Sequence, residues 1–166
     1  YKIITMFLKK KFYLLLVCKA NITRSVYMHA YMNKILEKYT FSKKINIMSA
    51  GTNAIKGLPP HDVIRHIAAL NGLTIKNLRS KRISQKIVDK ANLILTMENE
   101  QKKVILEKFN NVENKTFRIL EYGQNNLYSD NLDIPDPTGK DTNDYKKFVE
   151  ISHIESERIL KQLSEL

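Results

Sequence analysis

The chain has 166 residues, 43% of them hydrophobic, which suits one globular domain with a substantial core and requires no second. Its single cysteine excludes an internal disulfide framework, and no apolar run approaches the roughly 18 residues of a membrane span, so the expected setting is a reducing cytoplasm without membrane insertion. The formal charge of +11 favours acidic partners, but lysines scattered along the whole length, with no zinc-finger spacing or RNA-binding aromatic motif, argue against nucleic acid.

Residues 1–11 read as an N-terminal extension, leaving 12–166 for the folded domain. Residues 12–17 form a continuous apolar run of strand length, and beyond Ser25 the residues Met28, Met32, Ile35 and Tyr39 recur at helical spacing. Lys44-Ile45-Asn46-Ile47-Met48 alternates as a short strand ending in a Ser49-Ala50-Gly51-Thr52 turn. Gly57-Leu58-Pro59-Pro60 breaks the chain, and Pro60 starts a helix carrying Val63, Ile64, Ile67, Ala68 and Leu70 up to an Asn71-Gly72 stop. Ser84 caps a short helix over Ile87 and Val88, residues 91–96 read as a buried strand, 98–109 as a helix and 116–120 as a fourth strand candidate. Residues 121–143 turn to Gly, Asn, Asp and Pro, which marks a long loop of the kind that is often functional. A last helix runs over about 143–163, with Phe148, Ile151, Ile159 and Leu163 toward the core. Strands alternating with helices predict a parallel sheet covered on both faces, and ligands of such sheets bind at the carboxyl ends of the strands.

At the first strand's carboxyl end stands Cys18, followed by Lys19-Ala20-Asn21-Ile22-Thr23 and then Arg24-Ser25. A strand that feeds through a short loop into a helix aims backbone N–H groups at one point, where the helix N-terminus adds partial positive charge. A phosphoryl group bound there would have a sulfur beneath it and a guanidinium on its oxygens. Helix N-termini and neighbouring arginines also favour the thiolate, the nucleophilic form of a cysteine. Two plainer readings of Cys18 compete: a buried small hydrophobe, and a lipoprotein signal after Lys9-Lys10-Lys11. The six-residue apolar run is too short for a signal core, and Val17 is not the small residue a cleavage site wants.

Val17-Cys18-Lys19-Ala20-Asn21-Ile22-Thr23-Arg24-Ser25 resembles the signature Val-Cys-x-Gly-Asn-x-Cys-Arg-Ser of the low-molecular-weight protein tyrosine phosphatases. The resemblance continues in Ser49-Ala50-Gly51-Thr52, in Leu93-Ile94-Leu95-Thr96-Met97-Glu98 and in Asp133-Ile134-Pro135-Asp136-Pro137, so that it covers roughly 12–163. The last two segments look most like the bacterial branch that accompanies tyrosine kinases of capsule and exopolysaccharide export. The resemblance implies a single three-layer α/β domain with a four-stranded parallel sheet, 12–17 central. It implies hydrolysis of phosphotyrosine on proteins, with Cys18 as nucleophile, Arg24 as anion clamp and no cofactor or metal. The leaving group needs a proton. The long loop offers Asp130, Asp133, Asp136 and Asp141, and Asp136-Pro137 resembles the dipeptide that carries the family's general acid. By composition alone, Asp136-Pro137-Thr138-Gly139 is an ordinary turn. By resemblance Ser25 hydrogen-bonds the nucleophile, Asn21 and Ser49 hold the loop in shape, and Lys19, Ala20, Ile22 and Thr23 complete the phosphate loop. The implied partner is a tyrosine-phosphorylated protein, a bacterial tyrosine kinase among the candidates. None of the four histidines shows ligand spacing.

Several positions depart from the pattern. Ala20 replaces the usual glycine, Thr23 replaces a second cysteine, Thr138 stands where many members carry an aromatic residue, and no aromatic lies between Ser49 and Pro60. Arsenate reductases of this fold use further cysteines that the chain lacks. Two alternatives stay open: a protein-arginine phosphatase, whose members place a small polar residue where this chain has Ile22, and a phosphate-binding module without turnover.

Overall fold

The computed structural model describes residues 10–124 and 131–165. Residues 1–9 of the expected extension, and Asp130 among the acid candidates, lie outside the described residues. Four parallel strands form one sheet, β1 (Phe12–Cys18), β2 (Ile45–Gly51), β3 (Leu93–Thr96) and β4 (Thr116–Arg118), in the order β2-β1-β3-β4. β1 is flanked on both sides, with Leu14 opposite Ile47 in β2 and Leu93 in β3. A strand in that position meets apolar groups on both its faces, which is why Leu14, Leu15, Leu16 and Val17 form an unbroken apolar run and are all fully buried.

Among the described residues five α-helices cover the sheet: α1 (Arg24–Leu36), α2 (Asp62–Leu70), α3 (Gln85–Lys90), α4 (Asn99–Lys108) and α5 (Thr142–Ser164). Side chains alternate along β1, so Leu14, Leu16 and Cys18 share a core with Met28, Met32 and Ile35 of α1, Ile64 and Ala68 of α2, and Phe148 and Ile159 of α5. Leu15 and Val17 face the other way, against Val88 of α3 and Ile105 of α4. The result is the expected three-layer α/β domain. Side chains fix three helix starts among the described residues: Ser84 Oγ accepts the Ile87 N–H at 3.4 Å, Asp141 Oδ1 accepts the Asp144 N–H at 3.0 Å, and Gln101 Oε1 accepts the Glu98 N–H at 2.7 Å.

Four local expectations change. Ser49, Ala50 and Gly51 are strand rather than turn, because they pair with Leu16, Val17 and Cys18 and carry β2 up to the level of the cysteine. α1 ends at Leu36, so Tyr39 lies beyond it and packs its ring against Phe41. α2 buries Ile64 and Ala68, one helical turn apart, while Val63 and Leu70 stay exposed. The fourth strand stops at Arg118, after which residues 119–123 turn back beneath Arg158, whose guanidinium donates to the carbonyls of Ile119 and Tyr122.

Candidate active site

Cys18 closes β1 and is almost fully buried. Its Sγ lies 3.2 Å from the Asn21 N–H and 3.1 Å from Ser25 Oγ. Ser25 Oγ also accepts a hydrogen bond from Asn21 Nδ2 at 2.7 Å, which leaves the hydroxyl's own proton free to point at the sulfur. The Asn21 N–H and the Ser25 hydroxyl thus converge on Sγ at the start of α1, where the helix dipole is positive.

Asn21 shapes the turn as well as bridging it. Its φ of 55° is in the left-handed region that asparagine tolerates better than most residues, and its Oδ1 accepts the Lys81 N–H at 2.8 Å. Because the left-handed residue is Asn21 and not its neighbour, Ala20 in place of the usual glycine carries no backbone penalty. The loop is sewn down by backbone bonds from Thr52 N to Cys18 O (3.0 Å), Asn53 N to Lys19 O (2.9 Å) and His61 N to Ile22 O (2.8 Å). Beneath it Gly51 is required by close approach, since a Cβ there would come within 2.5 Å of Lys19 O. The Lys19 side chain points outward, with Nζ 4.0 Å from Glu100 in an exposed pair of little energetic weight.

Arg24, the first residue of α1, is buried with its guanidinium held at three points. Nη1 donates to Glu98 Oε2 (2.6 Å) and to Ile134 O (2.9 Å), and Nη2 donates to Asp136 Oδ2 (3.0 Å). Its buried Nε–H has no partner among the described residues. Nε and the second proton of Nη2 are thus a free fork of the kind that grips two oxygens of one anion.

The three acid candidates within the described residues separate cleanly. Asp133 accepts from Asn99 N and from Arg118 Nη1, so it fastens the start of α4 to the end of β4. Asp141 caps α5, and the Asp144 N–H it accepts holds its carboxyl below the usual range. Asp136 alone reaches Arg24, and it is partly open to solvent. Its segment is pinned by Ile134, whose N–H bonds Met97 O at the carboxyl end of β3. Thr138 folds back so that its N–H meets Asp136 Oδ1 at 3.0 Å, and its Oγ1 meets Thr23 Oγ1 at 2.9 Å.

Ser49 is beside the loop, but its hydroxyl meets His29 Nδ1 at 3.1 Å rather than a loop atom. Burial, with Lys81 adding to it, pushes the His29 imidazole down to about 4, so it stays neutral at neutral pH and ties α1 to β2 through Ser49. Sequence reasoning missed Glu98, which takes both Arg24 Nη1 and Gln101 Nε2 on one oxygen. The signal was present: Glu98-x-x-Gln101 after a buried strand is a capping box, and it puts a carboxylate at the sheet's carboxyl end.

A parallel α/β domain with a cysteine, an arginine and an aspartate gathered at the carboxyl end of its central strand is the architecture of a cysteine-based phosphoryl-transfer enzyme. The family model described as low molecular weight phosphotyrosine protein phosphatase matches residues 13–166, and the chain belongs to that family, whose members are hydrolases. It is 28% identical over 138 residues to a probable low molecular weight protein-tyrosine-phosphatase, EpsP, from Ralstonia nicotianae, covering 83% of this chain and 86% of that one. It is 27% identical over 157 residues to a protein-arginine-phosphatase of Bacillus subtilis, covering 91% and 93%. The crystal structure of a low molecular weight protein tyrosine phosphatase from T. tengcongensis superimposes with a TM-score of 0.81 at 24% identity, covering 92% of this chain and 99% of that one.

Proposed function

We propose that this protein hydrolyses phosphotyrosine on proteins through a phosphocysteine at Cys18. The observation that carries the reading is the convergence of the Asn21 N–H and the Ser25 hydroxyl on Sγ beside a buried guanidinium whose Nε has no partner among the described residues. In that mechanism the phosphate oxygens take the backbone N–H groups of residues 19–24 together with Arg24 Nε and Nη2. The Cys18 sulfur attacks phosphorus in line, and the P–O bond to the tyrosine breaks as Asp136 gives its proton to the departing phenolate oxygen. Asp136, now a carboxylate, takes a proton from water as that water attacks phosphorus, and phosphate leaves with the thiolate restored. Glu98 holds Arg24 in place throughout. The partner is a tyrosine-phosphorylated protein, and a nucleophile that must remain reduced fits a cytoplasmic setting.

The protein-arginine-phosphatase relative makes phosphoarginine the competing substrate. Ile22 favours phosphotyrosine: a branched apolar side chain in the loop offers an aromatic ring a dry surface and offers a guanidinium no hydrogen-bond partner. Measuring kcat/KM on one peptide sequence carrying phosphotyrosine, phosphoarginine or phosphoserine tests this. Phosphotyrosine is expected to be turned over fastest. A faster phosphoarginine reaction would assign the protein to the competing activity, and no turnover of any peptide would leave a phosphate-binding module.

A further inference from the structure

Thr23 occupies the N-cap position of α1, where a threonine hydroxyl ordinarily accepts a backbone N–H from the helix's first turn. Here it makes no cap bond. The buried hydroxyl instead meets Oγ1 of Thr138, a residue 115 positions away in the segment that carries Asp136. The same Thr138 donates its backbone N–H to Asp136 Oδ1, and Asp136 Oδ2 receives Arg24 Nη2. Thr23, Thr138, Asp136 and Arg24 thus close a ring of hydrogen bonds that begins and ends on adjacent residues of the phosphate loop.

We propose that Thr23 and Thr138 are a paired latch that positions Asp136 over the phosphate loop, an inference that rests on the phosphatase reading above. Each is a departure from the family pattern, and the two departures touch. On the near side of Asp136 the segment is fixed through Ile134, to Arg24 Nη1 and to Met97 O, and on its far side the hydroxyl pair ties it to the phosphate loop, so the latch bears on the half of the segment that Ile134 does not hold. The latch leaves anion binding to Cys18, the loop amides and Arg24, and acts only on where the Asp136 carboxyl stands. Both threonines are therefore positioning residues.

The experiment compares kcat/KM for phenyl phosphate, a poor leaving group, with that for a nitrophenyl phosphate, a good one, in the full-length protein. Thr138→Val and Thr23→Val are each expected to lower the phenyl phosphate value by about three- to tenfold, the scale of one hydrogen bond. The nitrophenyl value should fall less and vanadate inhibition should stay within about twofold, since only proton delivery is disturbed. The double variant should be no worse than either single one, Thr138→Ser should restore the wild-type ratio, and Thr138→Val added to Asp136→Asn should change nothing further. Equal losses on both substrates, additive effects of the two variants, or an unchanged leaving-group ratio would overturn the latch. None of those outcomes would touch the phosphatase reading, which fails separately if the wild-type protein turns over neither ester. Circular dichroism and thermal midpoints of each variant identify a loss that comes from unfolding.

Discussion

The phosphate loop and the acid segment meet over one point but are built in opposite ways. Residues 18–25 carry their chemistry locally: the nucleophile, the groups around it and the arginine lie within eight consecutive residues between the end of β1 and the start of α1, with backbone bonds from Thr52, Asn53 and His61 bracing the turn. The segment 134–138 has no regular structure and stands where it does through tertiary bonds, from Ile134 to Met97 and Arg24, from Asp136 to Arg24 and from Thr138 to Thr23. A nucleophile must sit at one fixed depth beneath the phosphate, whereas an acid that later serves as a base has to face first a leaving group and then water. Rigidity by local geometry suits the first task, and attachment by a few side-chain bonds suits the second.

The sharpest break of this contrast is at the sulfur. Cys18→Ser is expected to abolish turnover while keeping vanadate or phosphate affinity within about an order of magnitude, because the loop amides and Arg24 remain. Steady-state rates with and without EDTA and an equilibrium binding assay read both halves, and residual turnover in the variant would separate the nucleophile from this loop.

Within the acid segment, Asp136→Asn should cost on the order of 10²–10⁴ in kcat/KM toward aryl esters with poor leaving groups, the range of a lost general acid. Asp133→Asn should leave catalysis nearly intact and instead lower stability by about 1–2 kcal/mol, since it loosens bonds to Asn99 and Arg118. Rate profiles and denaturant midpoints on the two variants distinguish an acid from a brace. A reversal of the two effects would move the proton donor to Asp133.

Glu98 tests the join between the regions. Glu98→Gln keeps the shape but removes the charge that receives Arg24 Nη1 at 2.6 Å, and phosphate affinity and kcat/KM should fall together by about tenfold. Unequal losses would show that Glu98 does more than hold the guanidinium.

Away from the reacting groups, His29 gives stability a pH dependence that catalysis does not share. His29 is held down to about 4 by burial, with Lys81 adding to it, whereas in the unfolded chain it protonates near 6.5. Between those values the unfolded chain binds more protons, so this contribution is complete above about pH 6.5 and is lost as the pH falls toward 4. Denaturant midpoints between neutral and mildly acid pH should decline, and His29→Gln should flatten the decline.

The contrast between the regions also explains what could be read from the chain. The phosphate loop was legible because its chemistry is contiguous: an apolar run, a cysteine, an arginine six residues on and a helical periodicity. Asp136 could be named only through a family likeness, since its composition is that of any turn and its environment is supplied by Arg24 from 112 residues away. Glu98 signals its helix start through the spacing to Gln101, but nothing local announces its bond to Arg24. Thr23 and Thr138 each stood out as a departure from the family pattern, but nothing in either segment announced that their hydroxyls meet. Helix α2 shows the limit of periodicity, since five apolar residues fit a helical face while the sheet has room for Ile64 and Ala68 and leaves Leu70 outside.

The covalent intermediate is the central claim, and it can be caught directly. Rapid acid quench of the wild-type protein during turnover of a phosphotyrosine peptide, followed by peptide mapping by mass spectrometry, is expected to find phosphate on Cys18, accumulating further in Asp136→Asn when a good leaving group is supplied. Phosphate on any other residue, or steady turnover with Cys18 unmodified at every quench time, would contradict the account.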